Sequence, residues 1–318
     1  MIVTVTLNAA LDRILTVPNF QLGHRHRASE GLALAGGKGI NIARALKRLD
    51  VPVVATGLTG GPTGARILEE LRAEGILHDF VLIGEESQTS TTVVDPSGSS
   101  YTEIYERGPA VTPDELDLLV EKLRYLARAA DWVVFAGSLP RHVDAAFYAE
   151  TIRDLNRRGT RTALEAEGEP LRLGVEAEPF LVAPNEPEAE GLVGQEFNEE
   201  ADFTQALDDI AELGARNVLI AETSGCFALF REDRERRRFH VIAPKLEVVS
   251  PVGSADVLLA GFIAAQAAGR PLEEALRSAV AAGAASTLAV GAGRFEPREA
   301  GRLLPSVEAI ELAPAEVS

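Results

Sequence analysis

The sequence predicts an α/β fold: one domain of mainly parallel strands covered by helices, from which a small β excursion departs. Three observations carry this. Short apolar, β-branched runs alternate with longer amphipathic segments along most of the chain, the pattern of parallel strands joined by covering helices. Two stretches, about 12–34 and 87–107, break that rhythm with strand-like runs and read as a small β excursion. No repeat, low-complexity stretch or long linker divides the 318 residues, so a single domain over 1–318 is expected.

The elements follow in order. Residues 2–7 are an apolar run that reads as a buried strand, and Asn8-Ala9-Ala10-Leu11-Asp12 leaves it as a ligand-facing loop. Residues 13–34 mix polar and apolar side chains without helical spacing, as exposed strands do. Gly36-Gly37 then opens a helix over 38–49 whose Ile40, Ala43, Leu46 and Leu49 lie largely on one face. A strand at 52–58, a helix at 65–74 and a strand at 80–83 come next. Between 91–94 and 100–105 the turn formers Asp95-Pro96-Ser97-Gly98 specify a hairpin. The alternation resumes with helix 113–129, strand 132–136, helix 144–157, strands 161–164 and 180–182, helices 187–193 and 203–213, and strands 217–221 and 227–231. The charge run 231–238 is expected as a solvated hairpin tip. Two alanine-rich helices, 256–268 and 272–289, are apolar on most faces and should be buried against the sheet.

Composition removes several classes of function. With 46% apolar and 25% charged residues the chain is ordinary globular protein. Its 31 basic and 48 acidic side chains leave a formal net charge of -17, the wrong sign for a nucleic-acid binder. Any anionic ligand must be held by local features. No basic leader precedes an apolar run, and no charge-free apolar stretch of about eighteen residues occurs, so a soluble cytoplasmic protein without a membrane span is expected. The single cysteine, Cys226, cannot form an internal disulfide and reads as a packed thiol. The histidines lack the H-E-x-x-H spacing of a zinc site, and Ser138 lacks a G-x-S-x-G elbow.

Two glycine-bearing helix starts remain. Gly36-Gly37-Lys38-Gly39-Ile40-Asn41 offers unpaired backbone N–H groups, a cation and an amide, which together attract anions or hydroxyls. It is neither a Walker loop, because Leu32 and Gly39 stand where a glycine and a Ser or Thr are needed, nor a G-x-G-x-x-G dinucleotide turn. Val252-Gly253-Ser254-Ala255-Asp256 repeats the arrangement with a carboxylate added. N–H groups there could cover the charge of a transferring phosphoryl group, and Asp256 could take the proton of its acceptor hydroxyl. Taken alone, Asp256 reads as a helix N-cap before it reads as a base.

The order of these segments resembles the ribokinase-like (PfkB) family of sugar kinases, in particular the branch with 1-phosphofructokinase, tagatose-6-phosphate kinase and the minor bacterial 6-phosphofructokinase. The likeness runs over the whole chain: Asn8, Ala10 and Asp12; Gly36 to Asn41; Ala136-Gly137-Ser138-Leu139-Pro140; Pro184-Asn185 with Glu188; and Gly253 to Asp256. It implies a three-layer α/β/α ribokinase-like fold with a β lid, ATP and Mg2+ as cofactors, and homodimerisation through the lid. By the same resemblance Asp256 is the base and the N–H groups of Gly253, Ser254 and Ala255 form an anion hole. Asp12, Arg27, Gly37, Lys38, Asn41, Gln88 and Ser138 would bind substrate. Asn185 and Glu188 would position the magnesium, with Asn185, Thr223, Ser224 and Gly225 at the nucleotide.

The resemblance implies an ATP-dependent hexose-phosphate kinase, most simply fructose 1-phosphate to fructose 1,6-bisphosphate. Departures keep other readings open: a 6-phosphofructokinase or tagatose-6-phosphate kinase, a kinase of an unphosphorylated sugar or polyol, or a weakened relative acting as a regulatory binding protein. Gln88 stands where relatives carry a phosphate-gripping arginine, and a lost charge-assisted hydrogen bond is worth roughly 1.5–3 kcal/mol. Arg27, Lys38 and Arg107 could compensate. Ala255 replaces a glycine, at a cost of about 1 kcal/mol if the backbone there is left-handed. Ala183 stands where many members have a lysine.

Overall fold

The structure, a computed structural model, describes residues 1–98, 100–232 and 235–313. β1 (Ile2–Thr6) is buried along its length and leads into β2 (Ala10–Thr16), β3 (Glu30–Gly36), α1 (Lys38–Arg48), β4 (Val53–Gly60), α2 (Gly61–Ala73) and β5 (Leu77–Ile83). The hairpin of β6 (Gln88–Asp95) and β7 (Ser100–Tyr105) precedes α3 (Pro113–Leu126), β8 (Trp132–Ala136), α4 (Phe147–Arg157), β9 (Arg161–Glu165), α5 (Gly168–Val175) and β10 (Leu181–Val182). Then come α6 (Glu186–Val193), α7 (Glu200–Leu213), β11 (Val218–Glu222), β12 (Gly225–Glu232) and β13 (Glu235–Ile242). The chain closes with α8 (Ser254–Ala267), α9 (Leu272–Ser286), α10 (Pro297–Leu303) and β14 (Glu308–Leu312).

Ten strands form one sheet in the order β14-β13-β12-β11-β10-β9-β8-β1-β4-β5. Neighbours from β11 to β5 are parallel, and the β11-β12-β13-β14 edge is antiparallel. Side-chain alternation divides β8 between two cores: Trp132, Val134 and Ala136 pack with α1, α8 and α9, whereas Val133 and Phe135 pack with α3, α4, α5 and α7. Helices therefore cover both faces, as expected. α8 is buried nearly all round, and each fully buried Leu or Phe such as Leu259 and Phe262 contributes about 1.5–3 kcal/mol.

A separate four-stranded sheet, β3-β2-β6-β7, is the lid. β2 pairs parallel to β6 and antiparallel to β3, so Ala10 lies beside both Gly36 and Gln88. That end joins the main sheet. Asp12 accordingly sits on a lid strand and not in the loop expected at 8–12, because β-pairing with β3 and β6 begins at Ala10.

Other differences have local causes. α5 escapes the sequence reading because Gly168, Pro170 and Gly174 punctuate it. The charge run is mostly strand: Arg236, Arg237 and Arg238 lie in β13, where cross-strand and helix carboxylates neutralise them, Arg237 with Glu311 and Glu232 and Arg238 with Asp208. Its expected tip, at 233 and 234, lies outside the described residues. α10 and the edge strand β14 are too short and too polar to stand out.

Candidate active site

Parallel strands bring their C-terminal ends to one edge, where ligands of open α/β sheets bind. Here those ends, the starts of α1 and α8 and the inner side of the lid enclose a cleft of about 1140 Å3. Of the residues singled out from the sequence, Asp12, Gly37, Lys38, Asn41, Gln88, Ser138, Asn185, Thr223 and the whole of Gly253 to Asp256 line it.

Asp256 is the third residue of α8. Gly253 is the N-cap, with φ 79, so the cap position is already taken by a left-handed backbone. A Cβ on Gly253 would come within 2.7 Å of the Ala292 Cβ, which reinforces the need for glycine. Ala255 lies inside the helix with negative φ, so it carries none of the left-handed cost considered above. Relieved of capping, the Asp256 carboxylate is 4% exposed and accepts a 2.8 Å hydrogen bond from Asn41 Nδ2. Burial pushes its pKa up, while the Lys38 ammonium and the Asn41 amide hold it down.

Glu165, at the end of β9, completes the cluster. It is 1% exposed, and its carboxyl shares a hydrogen bond with that of Asp256. Burial raises its pKa, Lys38 opposes and the Asp256 charge adds to the rise. Two carboxyls in so dry a site do not both ionise readily, so the pair holds one proton between them. Lys38 lies between Glu165 Oε1 at 3.4 Å and Glu188 Oε1 at 2.5 Å. Burial alone would lower its pKa, but the surrounding carboxylates outweigh that and keep the ammonium charged. Asn185 and Glu188 form a capping box at the start of α6, each side chain accepting from the other's backbone N–H at 3.0 Å.

On the lid side, Asp12 is pushed up to about 6 by burial, with Arg44 opposing and Glu103 adding to the rise. Gln88 opens β6 and donates from Nε2 to the Asn8 carbonyl at 3.4 Å, while Asn8 Nδ2 donates to Ser138 Oγ at 3.1 Å. Asn8 and Glu165 are site residues that sequence reasoning missed. Asn8 had a signal, as the first residue of the motif with Ala10 and Asp12. Glu165 had little, since the strand read as 161–164 stops one residue short of it.

Other expected site residues fall outside the lining. Arg27 stands exposed on the 17–29 segment, which connects the Thr16 and Glu30 ends of the lid strands. Seven-residue strands place it roughly 20 Å from the Ala10 and Gly36 ends that meet the cleft. Arg107 is likewise exposed and does not line the cleft. Ser224 turns back to bond Glu222 from both its N–H and its hydroxyl. Gly225 opens β12, where a Cβ would meet the Val241 carbonyl at 1.9 Å; its role is strand pairing. Ala183 is 4% exposed within the core and bears on packing. Among the lining residues, Asp12, Glu103, Glu106, Glu165, Glu167, Glu186, Glu222 and Asp256 confront the cations Lys38 and Arg44.

A cleft with two helix starts, a buried carboxylate and a β lid belongs to a phosphoryl-transferring enzyme. The chain belongs to the pfkB family of carbohydrate kinases, whose sequence profile matches residues 3–299. It is 32% identical over 312 residues to a 1-phosphofructokinase of Bacillus subtilis, covering 98% of this chain and 100% of that one. A 1-phosphofructokinase of Borreliella burgdorferi is 32% identical over 288 residues, covering 91% and 92%. Among solved structures, phosphofructokinase-2 from Escherichia coli in complex with fructose-6-phosphate is similar at TM-score 0.86 and 25% identity, covering 96% and 98%. The protein is a phosphotransferase with an alcohol group as acceptor.

Proposed function

We propose that the chain transfers the γ-phosphoryl group of ATP to a hydroxyl of a hexose phosphate, most simply fructose 1-phosphate, giving fructose 1,6-bisphosphate. The observation that carries this is Asp256: buried, freed from capping, oriented by Asn41 and set beside the N–H groups of Gly253, Ser254 and Ala255. Of these, the Ser254 N–H donates to the Pro251 carbonyl at 3.2 Å in this structure, which leaves those of Gly253 and Ala255 to cover charge that develops on the transferring group. Asp256 takes the proton of the attacking hydroxyl. Asp12 and Asn41 accept and donate to sugar hydroxyls, Ser138 lies at the same end, and the lid keeps water from the activated phosphate.

Kinases of this family use ATP with Mg2+. The donor set fits such an ion. Mg2+ takes carboxylate oxygens and brings its own waters and phosphates; Asn185 lines the cleft, Glu188 stands just outside the lining on Lys38, and Glu165, once its proton leaves, would offer Oε2. No group of three or more His, Cys, Asp or Glu among the described residues forms a self-sufficient metal cage, which suits an ion that arrives on the nucleotide. When bound it neutralises phosphate charge. Thr223 and the loop before Gly253 border the nucleotide side.

One observation favours a second reading, a kinase of an unphosphorylated sugar or polyol. Gln88 is neutral, Lys38 is held by two carboxylates, and the lining offers no further cation besides Arg44. Coupled ADP release with magnesium ATP separates the readings across fructose 1-phosphate, fructose 6-phosphate, tagatose 6-phosphate and unphosphorylated hexoses. Turnover of fructose 1-phosphate above the others supports the first, turnover of free hexose the second, and no substrate-dependent turnover overturns both. If the phosphate lies at Gln88, Gln88→Arg lowers the phosphosugar KM by about tenfold or more; an unchanged KM places the phosphate elsewhere.

The open edge strand β7, whose Ile104 is exposed on the face away from the cleft-lining Tyr101 and Tyr105, supports a homodimer formed through the lid. A cytoplasmic location is part of the same reading; no helix among the described residues is long and apolar enough to cross a membrane.

A further inference from the structure

Arg44 is a buried cation that no step above uses. It lies within α1, 2% exposed, with all five N–H groups bonded. Nε and Nη2 donate to the Glu74 carboxylate at 2.5 and 2.9 Å, and Nη2 also donates to the Ala35 carbonyl at 2.6 Å. Nη1 donates to the Ala292 carbonyl at 3.0 Å and to Asn41 Oδ1 at 3.2 Å.

A guanidinium has donors and no acceptor, so an amide that meets it must present its oxygen. Asn41 Oδ1 therefore faces Arg44, and the Asn41 N–H groups are left to face Asp256. Reversal would set the amide oxygen against the Asp256 carboxylate and the amide N–H groups against the guanidinium, losing both bonds. Arg44 thus decides an orientation that Asn41 alone leaves open. Its other partners are equally placed. Ala35 is in the lid strand β3, next to its cleft end. Ala292 belongs to the loop that abuts Gly253, and a Cβ on the adjoining Gly293 would come within 2.5 Å of the Asn41 carbonyl.

We propose that Arg44 is a positioning residue for phosphoryl transfer: it locks the Asn41 amide in the orientation that donates to Asp256, and ties that lock to the lid strand and to the loop behind the α8 start. The inference rests on the reading of Asp256 as the base.

The test uses the pair variant Arg44→Met with Glu74→Met, which removes the buried guanidinium together with its partly exposed carboxylate partner, so neither charge is left unpaired. Its kcat is expected to fall about 10- to 100-fold with both KM values within about threefold. Adding Asn41→Ala should then lower kcat no more than about threefold below Asn41→Ala by itself, because the arginine acts through that amide. Losses that multiply would show a general structural role and overturn the proposal. Arg277→Met, which unties the Val307 and Leu304 carbonyls away from the cleft, sets the effect of destabilisation alone. A readout free of activity accompanies this. The Asn41 side-chain amide in a 15N NMR spectrum, identified by its loss in Asn41→Ala, should be dispersed in the native protein and collapse toward the random-coil position in the pair variant. An unmoved amide overturns the proposal even if the native enzyme turns over no tested sugar, the result that instead defeats the kinase reading.

Discussion

At the scale of a single residue, the proposed chemistry rests on Asp256. Asp256→Asn should lower turnover by roughly 100- to 10,000-fold while leaving ATP affinity nearly intact, the signature of a lost general base. Native turnover in that variant would assign the proton elsewhere. The pH dependence has a definite sign. The carboxylate accepts a proton only when ionised, and burial holds its pKa above the usual aspartate range. Turnover should therefore rise with pH through an acid limb above the ordinary aspartate value; a limb at that ordinary value would mean a solvated carboxylate. The sequence left Asp256 between cap and base, since both roles place an acidic residue near a helix start. The structure separates them by three positions, with Gly253 capping and Asp256 free of that role.

At the scale of elements, the start of α8 shows why the motif tolerates alanine at one glycine and not at another. Ala255 is helical, whereas Gly253 has φ 79 and meets the 291–293 loop. Gly253→Ala should lower kcat about 100-fold by misaiming a donor of the anion hole. Ala255→Gly should leave kcat unchanged and destabilise by about 0.5–1 kcal/mol through helix entropy. Steady-state kinetics and thermal melts of the two variants check this, and a gain in kcat for Ala255→Gly would contradict the helical assignment. The 185–188 element had a comparable ambiguity. Its N-x-x-E spacing suits both a capping box and the phosphate-side role the family resemblance implies; both capping bonds form, and Glu188 Oε1 still reaches Lys38.

For the whole molecule, the acid excess is concentrated where anions must enter. Asp12, on the lid side of the cleft, shows what burying one of these carboxyls does to stability. Its folded pKa of about 6 exceeds the unfolded value of 3.8, so the folded state binds that proton more tightly. The cost of ionising it grows as pH rises from 3.8 to about 6 and stays constant above. Asp12→Asn is thus expected to be more stable than the native protein at pH 7 by about 1–3 kcal/mol, with the gap closing below pH 4. Melting curves across pH measure it, and a gap that stays constant would remove burial as the cause. Activity should fall in the same variant, as an acceptor for a sugar hydroxyl is lost.

The sequence by itself determined the alternation of strands and helices, the lid as an interruption of it, both glycine helix starts and the overall negative charge. These are local properties, set by periodicity and by backbone angles that glycine alone adopts easily. Only the tertiary structure decided which side chains meet. Asn41 reaches Asp256 across 215 residues and Lys38 reaches Glu188 across 150, because the strand order places β1 beside β8 and packs α1 on α8. The same packing commits Lys38 to carboxylates, brings in Glu165 and puts Arg27 at the far end of the lid hairpin. No periodicity encodes those juxtapositions, since they arise from long-range pairing of parallel strands and burial of charge between elements distant in the chain.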